Sequence, residues 1–113
     1  MLMWIAMATY KYEFNIKIIN MQENYQNKTF TLINTLGNLI KKHRKEQGKT
    51  MYAISAEVSM SKSTWREAEI GACKDIKLTT LWKIAEGLDI PLATLIDELS
   101  KKLGDNFSLS DLK

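Results

Sequence analysis

Residues 50–71 read TMYAISAEVSMSKSTWREAEIG, two short stretches of helical period with a joint between them of about four residues. Helices held that close need apolar residues where they face each other and a small residue where they approach most nearly. They also need a turn residue that accepts left-handed backbone. With Met51 as the first position of the unit, Ile54, Val58, Met60, Trp65 and Ala68 fall at the inward positions and Ser55 at the close approach. Thr50 is a good N-cap for MYAISAEV, Ser59 to Ser61 make the connection, and Gly71 closes KSTWREAEI.

Helical spacing extends to either side of this unit. Upstream, Phe30, Ile33, Leu36, Leu39 and Ile40 predict a helix that begins after Lys28 and ends at Gly48 in left-handed backbone. Downstream, Leu81, Ile84, Ala85 and Leu88 predict a helix over about 79–88. Pro91 suits the start of a further helix from Leu92 to about Lys102, because its missing N–H has no partner in a first turn. One segment has a different period. Tyr10 to Ile18 reads YKYEFNIKI, a strict apolar–polar alternation that predicts a half-buried strand. A lone strand leaves its edge groups unpaired, and the same segment of a second subunit is the simplest partner. The alternatives are that residues 1–20 are a disordered extension or that Met21 is the true start. The expected organisation is an N-terminal arm over 1–28, a helical domain over 29–102 and a polar tail over 103–113.

Composition narrows the function classes. With 45% hydrophobic and 26% charged residues, the chain has the profile of one small domain, with little to spare for a large catalytic cleft. The net charge of +3 is mild but local, since residues 36–49 hold Lys41, Lys42, Arg44, Lys45 and Lys49 against Glu46 alone. One cysteine, Cys73, and one histidine, His43, make neither an intrachain disulfide nor a zinc ligand set, and no metal or cofactor is expected. They also supply no catalytic triad, no Gly-rich phosphate loop occurs, and an enzyme is the weakest reading. Cys73 beside Lys74 is either a redox-sensitive thiol, since a nearby cation lowers thiol pKa, or an incidental reduced cysteine. The apolar start MLMWIAMA lacks a basic leader and stops far short of the ~20 residues that span a bilayer, so a cytoplasmic protein with no membrane partner is expected.

The unit 51–70 is a helix-turn-helix pattern. Residues 36–99 resemble the Cro and phage-repressor type of helix-turn-helix domain, the large bacterial regulator family also called the xenobiotic-response-element type. The resemblance rests on LGNLIKKHR with Arg44 four before Gly48, on Thr50 with Ile54 and Ser55, on MSKSTWREAEIG, and on LTTLWKIAEGLDI. It implies an all-α, five-helix, lambda-repressor-like DNA-binding domain, here with an N-terminal strand or flexible arm. The chain departs from the family in four places. Ser59 stands where the turn usually has Gly, and Met51 where a Gln often touches the DNA backbone. Trp65 replaces an Ile or Val, which implies a roomier core or a partly exposed indole. The loop after Gly71 is longer than the commonest version and lacks its Pro.

Family docking would place residues 61–70 in the major groove. Trp65 and Ala68 then point inward, and Lys62, Ser63, Arg66 and Glu67 are the base-reading candidates. Arg66 or Lys62 would donate to guanine, Glu67 would accept from cytosine, and Ser63 would serve either way. Phosphate-binding candidates are Thr50, Ser61, Thr64, Lys74 and Lys77, while Lys41, Lys42 and Lys45 either touch phosphate or only solubilise the first helix. Arg44 and Glu69 resemble the family's internal ion pair, a structural role. The function expected is a sequence-specific transcriptional regulator, a repressor that binds a two-fold-related operator in double-stranded DNA as a homodimer. The dimer contacts would come from the N-terminal segment, from Leu92, Leu95, Ile96 and Leu99, or from both; core packing is the equal alternative for those four. The alternative function is an antitoxin-like protein whose main task is to hold a partner toxin, with operon autoregulation.

Overall fold

A computed structural model describes residues 2–110, with side chains at 13 and from 15 to 110. Its elements are α1 (Leu2–Glu46), α2 (Met51–Glu57), α3 (Lys62–Ile70), α4 (Leu78–Gly87) and α5 (Leu92–Leu103), with no strand among the described residues. The chain divides into two compact units, Met1–Lys28 with Ser108–Lys113, and Thr29–Phe107.

In the first unit the expected strand is overturned, because Tyr10 to Ile18 is helical. The alternation that suggested a strand also places apolar residues at i and i+4, which is helical spacing as well. No Gly or Pro occurs before Gly37 to break a helix. A helix satisfies its own backbone groups, whereas a single strand needs a neighbour. The first helix therefore begins at Leu2 and not after Lys28. None of its described residues, nor those of any other helix, makes a stretch long and apolar enough to cross a membrane.

The second unit is built on one core. Leu36, Leu39 and Ile40 of α1 meet Ile54 of α2, Trp65 and Ala68 of α3, Ile84 and Ala85 of α4, Leu88, and Leu95 and Leu99 of α5. Phe30, expected on the same face, is 64% exposed and lies one turn before the packed stripe begins at Ile33. Of the four α5 residues weighed as dimer contacts, Leu95 and Leu99 belong to this core and Leu92 packs against it, as does Leu103. Ile96 points outward at 41% exposure.

The connections follow local chemistry. Thr50 caps α2 by accepting from the Ala53 N–H, and Ser61 caps α3 by accepting from the Thr64 N–H. Between them Ser59 takes a φ of 55°, so it accepts the left-handed turn where glycine would be unstrained. Gly71 ends α3 with a φ of 70°. At Gly37 the need for glycine is steric. A Cβ there would lie 2.5 Å from the Glu69 carbonyl oxygen and 2.6 Å from that of Ala68, so the backbones of α1 and α3 nearly touch. Side-chain ties hold the end of α1 and the residue after it to later elements: His43 Nε2 lies 2.7 Å from Glu98 Oε2, and the Gln47 amide donates to the Leu88 carbonyl.

Gly37→Ala is expected to destabilise the fold by at least about 1–3 kcal/mol in urea unfolding, because backbone carbonyls and not flexible side-chain tips must move aside. Ser59→Gly should raise the midpoint, with a gain of about 0.5–1 kcal/mol from relieved φ strain.

Candidate nucleic-acid interface

The orientation of α3 is set by what it buries. Trp65, Ala68 and Glu69 face the core. A rotation of about 100° per residue then leaves Lys62, Ser63, Arg66 and Glu67 on the outer side, and all four are exposed. Their arrangement is a compact polar face with two cations, one anion and one hydroxyl. Ile70, 50% exposed at the end of the helix, adds an apolar edge that the sequence reading left out.

The buried side of α3 centres on a carboxylate. Arg44 meets Glu69 through two hydrogen bonds, Nε to Oε2 at 2.6 Å and Nη2 to Oε1 at 2.9 Å. The Trp65 indole N–H donates to the same Oε2 at 2.6 Å. The third Arg44 nitrogen, Nη1, donates to the Lys49 carbonyl at 2.8 Å, just ahead of α2. Two parallel charge-assisted bonds and an indole donor compensate a carboxylate taken out of water. The bond to Glu69 raises the Arg44 pKa above its ordinary value, and burial opposes the shift. A raised basic pKa adds stability below its unfolded value and loses it only as pH climbs through the folded one. The Arg44 contribution, which depends on the ionised Glu69, is therefore not lost as pH rises through the neutral range.

Of the two consequences expected from Trp65, the exposed indole is overturned: the residue is 0% exposed. Room for the ring comes from Gly87, where an added Cβ would sit 3.3 Å from two of its carbons. Its one polar atom is satisfied by Glu69, so nothing remains to draw it toward solvent.

The candidate phosphate ligands stand at the N-caps of α2, α3 and α4, in the first turn of α3 and in the loop after it. Thr50, Ser61, Thr64, Lys74 and Lys77 are all exposed. The Thr50 and Ser61 oxygens already accept cap bonds at 3.1 Å, which leaves their O–H groups as donors. Ser61 and Thr64 also share a hydroxyl–hydroxyl bond of 2.8 Å. Met51, half-buried, packs against the core, so its side chain supplies no polar contact. Lys41, Lys42 and Lys45 are exposed near the end of α1, and Lys42 lines a groove with residues of α5. Tyr52 is the exposed residue most easily missed. At 72% exposure on the first turn of α2 it sits outside the inward series Ile54, Ser55 and Val58, a placement readable from spacing alone.

Cys73 is half-buried in the loop that follows α3. Burial pushes its thiol up, and the charges of Glu67 and Asp75 push the same way. Of the two readings of Cys73, the raised thiol pKa favours an incidental reduced cysteine over a thiol activated by Lys74. Among the described residues no group of His, Cys, Asp or Glu is arranged to hold a metal ion.

No protein-family model matches the chain, and no curated protein does.

Arg44→Ala leaves the Glu69 carboxylate buried without its cation, and a loss of about 3–5 kcal/mol is expected in chemical denaturation. Adding Glu69→Gln to that variant should return part of the loss, since the buried charge is removed while an amide oxygen can still accept from Trp65. A double variant no more stable than Arg44→Ala would show the charge to be immaterial.

Proposed function

We propose that the chain is a sequence-specific DNA-binding transcriptional regulator, a repressor that binds a two-fold-related operator as a homodimer through residues 61–70. The observation that carries this reading is the two-sided character of α3. One side is locked by Trp65, Ala68 and Glu69, and the other presents Lys62, Ser63, Arg66 and Glu67 to solvent. A helix that is to read base edges needs this combination, because a polar face distinguishes bases only when its position is fixed by the body behind it.

The lambda-repressor-like arrangement is part of the same reading. It is supported by five helices in the expected order and by the buried Ser55. The left-handed turn at Ser59 and the bonds between Arg44 and Glu69 support it further. In this reading α3 enters the major groove. Arg66 or Lys62 donates to guanine O6 and N7, Glu67 accepts from the cytosine amine, and Ser63 pairs with either kind of partner. Thr50, Ser61, Thr64, Lys74 and Lys77 hold the flanking phosphates and supply most of the affinity. Since one recognition helix covers about four to six base pairs, two copies spaced by one helical turn, about 34 Å, provide the specificity.

Fluorescence anisotropy on a duplex from just upstream of the gene, against a scrambled duplex over a salt series, tests this. Binding that prefers the upstream duplex and weakens steeply with salt is expected. Arg66→Ala should cost about 1–3 kcal/mol and relax the preference at one base position, while Lys74→Ala should weaken both duplexes alike. Equal weak binding to the two duplexes would overturn the reading and direct attention to a protein partner.

A further inference from the structure

Among the described residues of α3, Ile70 is the large apolar side chain that stays in solvent, at 50% exposure. Its direction follows from helix geometry. Trp65, Ala68 and Glu69 mark the inward side. At about 100° per residue, Ser63, Glu67 and Ile70 then lie within about 35° of the opposite direction, while Arg66 lies about 75° from it. Ile70 therefore faces the same way as the polar residues assigned to base reading, and more squarely than Arg66 does.

Ile70 is also held in place. Gly71 ends the helix directly after it with a φ of 70°, and a Cβ on Gly71 would meet Asn34 Cα of α1 at 3.2 Å. Just before it, the Glu69 and Ala68 carbonyl oxygens lie 2.5 Å and 2.6 Å from where a Cβ on Gly37 would stand. These two close approaches fix the last turn of α3 against α1. The side chain is stiff in its own right, because branching at Cβ leaves isoleucine one dominant χ1 rotamer in a helix. An apolar group on a fixed backbone, in one rotamer, is preorganised for a contact of defined position.

We infer that Ile70 reads a thymine by laying its side chain against the C5 methyl group in the major groove. The inference rests on the reading of α3 as the helix that enters that groove, and it adds a base that neither the cations nor Glu67 would select. Chemistry narrows the ligand to this one. An isoleucine side chain neither donates nor accepts a hydrogen bond, so phosphates and polar base edges offer it nothing, and the thymine methyl is the apolar group that the major groove displays. Position agrees. Ile70 follows Ser63 by seven residues, about 10 Å along the axis or about three base-pair steps, so the thymine lies in the same half-site as the base that Ser63 meets.

The test uses the full chain and the duplex from just upstream of its gene, with each thymine in turn replaced by uracil, which removes the methyl and keeps the pairing. Anisotropy is expected to find a thymine in each half-site whose replacement weakens binding about fourfold, the effect of one buried methyl group. Ile70→Ala should bind the thymine and uracil duplexes alike, and Ile70→Val should keep part of the distinction. Lys74→Ala should weaken both duplexes and leave the fourfold distinction in place. Two results would overturn the inference and spare the reading of α3: selective binding with no thymine sensitive to loss of its methyl, and a uracil effect undiminished in Ile70→Ala. Equal weak binding to the upstream and scrambled duplexes would overturn both.

Discussion

Glu69 receives three N–H donors from two directions, and the second unit is organised around that fact. Its carboxylate is buried, so each unmet lone pair would carry a desolvation cost; Arg44 and Trp65 between them remove it. Because Arg44 also donates to the Lys49 carbonyl, one guanidinium fixes the end of α1, the entry to α2 and the last turn of α3. Packing alone positions helices within a range, since apolar contacts carry no direction. Directional bonds at the centre narrow that range. The outer face of α3 inherits its orientation from them.

Much of the second unit was legible because its signals are local. Thr50, Gly48 and Gly71 announce themselves through capping and backbone chemistry that needs no tertiary context. The inward series from Ile54 to Ala68 follows from a period. Gly37 is the contrary case. A glycine inside a helical run ordinarily marks a weak point, and only the crossing of α1 over α3 shows why no other residue fits. Tyr10 to Ile18 misled for a related reason, because a short alternating run satisfies two periods at once and the deciding term, whether a partner strand exists, lies outside the segment. Cys73 shows the limit of reading charge from adjacent residues. Lys74 is next in sequence, but burial has the largest effect on the thiol, and the charges of Glu67 and Asp75 push the same way.

The candidate recognition surface was readable in part for the same reason. Once Trp65 and Ala68 are inward, Lys62, Ser63, Arg66 and Glu67 can only be outward. What spacing could not reveal is how the hydroxyls divide their labour. Thr50 and Ser61 each use an oxygen lone pair to cap a helix, and the Ser61 hydroxyl is shared with Thr64 as well. The surface lysines separate by environment as well. Lys74 and Lys77 sit in the loop after α3, whereas Lys42 shares a groove with α5.

The contact between Trp65 and Gly87 has a consequence for how such a chain can vary. The indole occupies the space in which a side chain at 87 would begin, with two ring carbons at the limit of ordinary contact. Size at these two positions is therefore shared, together with Ile54, whose Cγ1 bounds the same space at 3.3 Å. A smaller residue at 65 would open room at 87 and also remove a donor from Glu69, so drift at 65 is tied to compensation on α4 and at the buried carboxylate together.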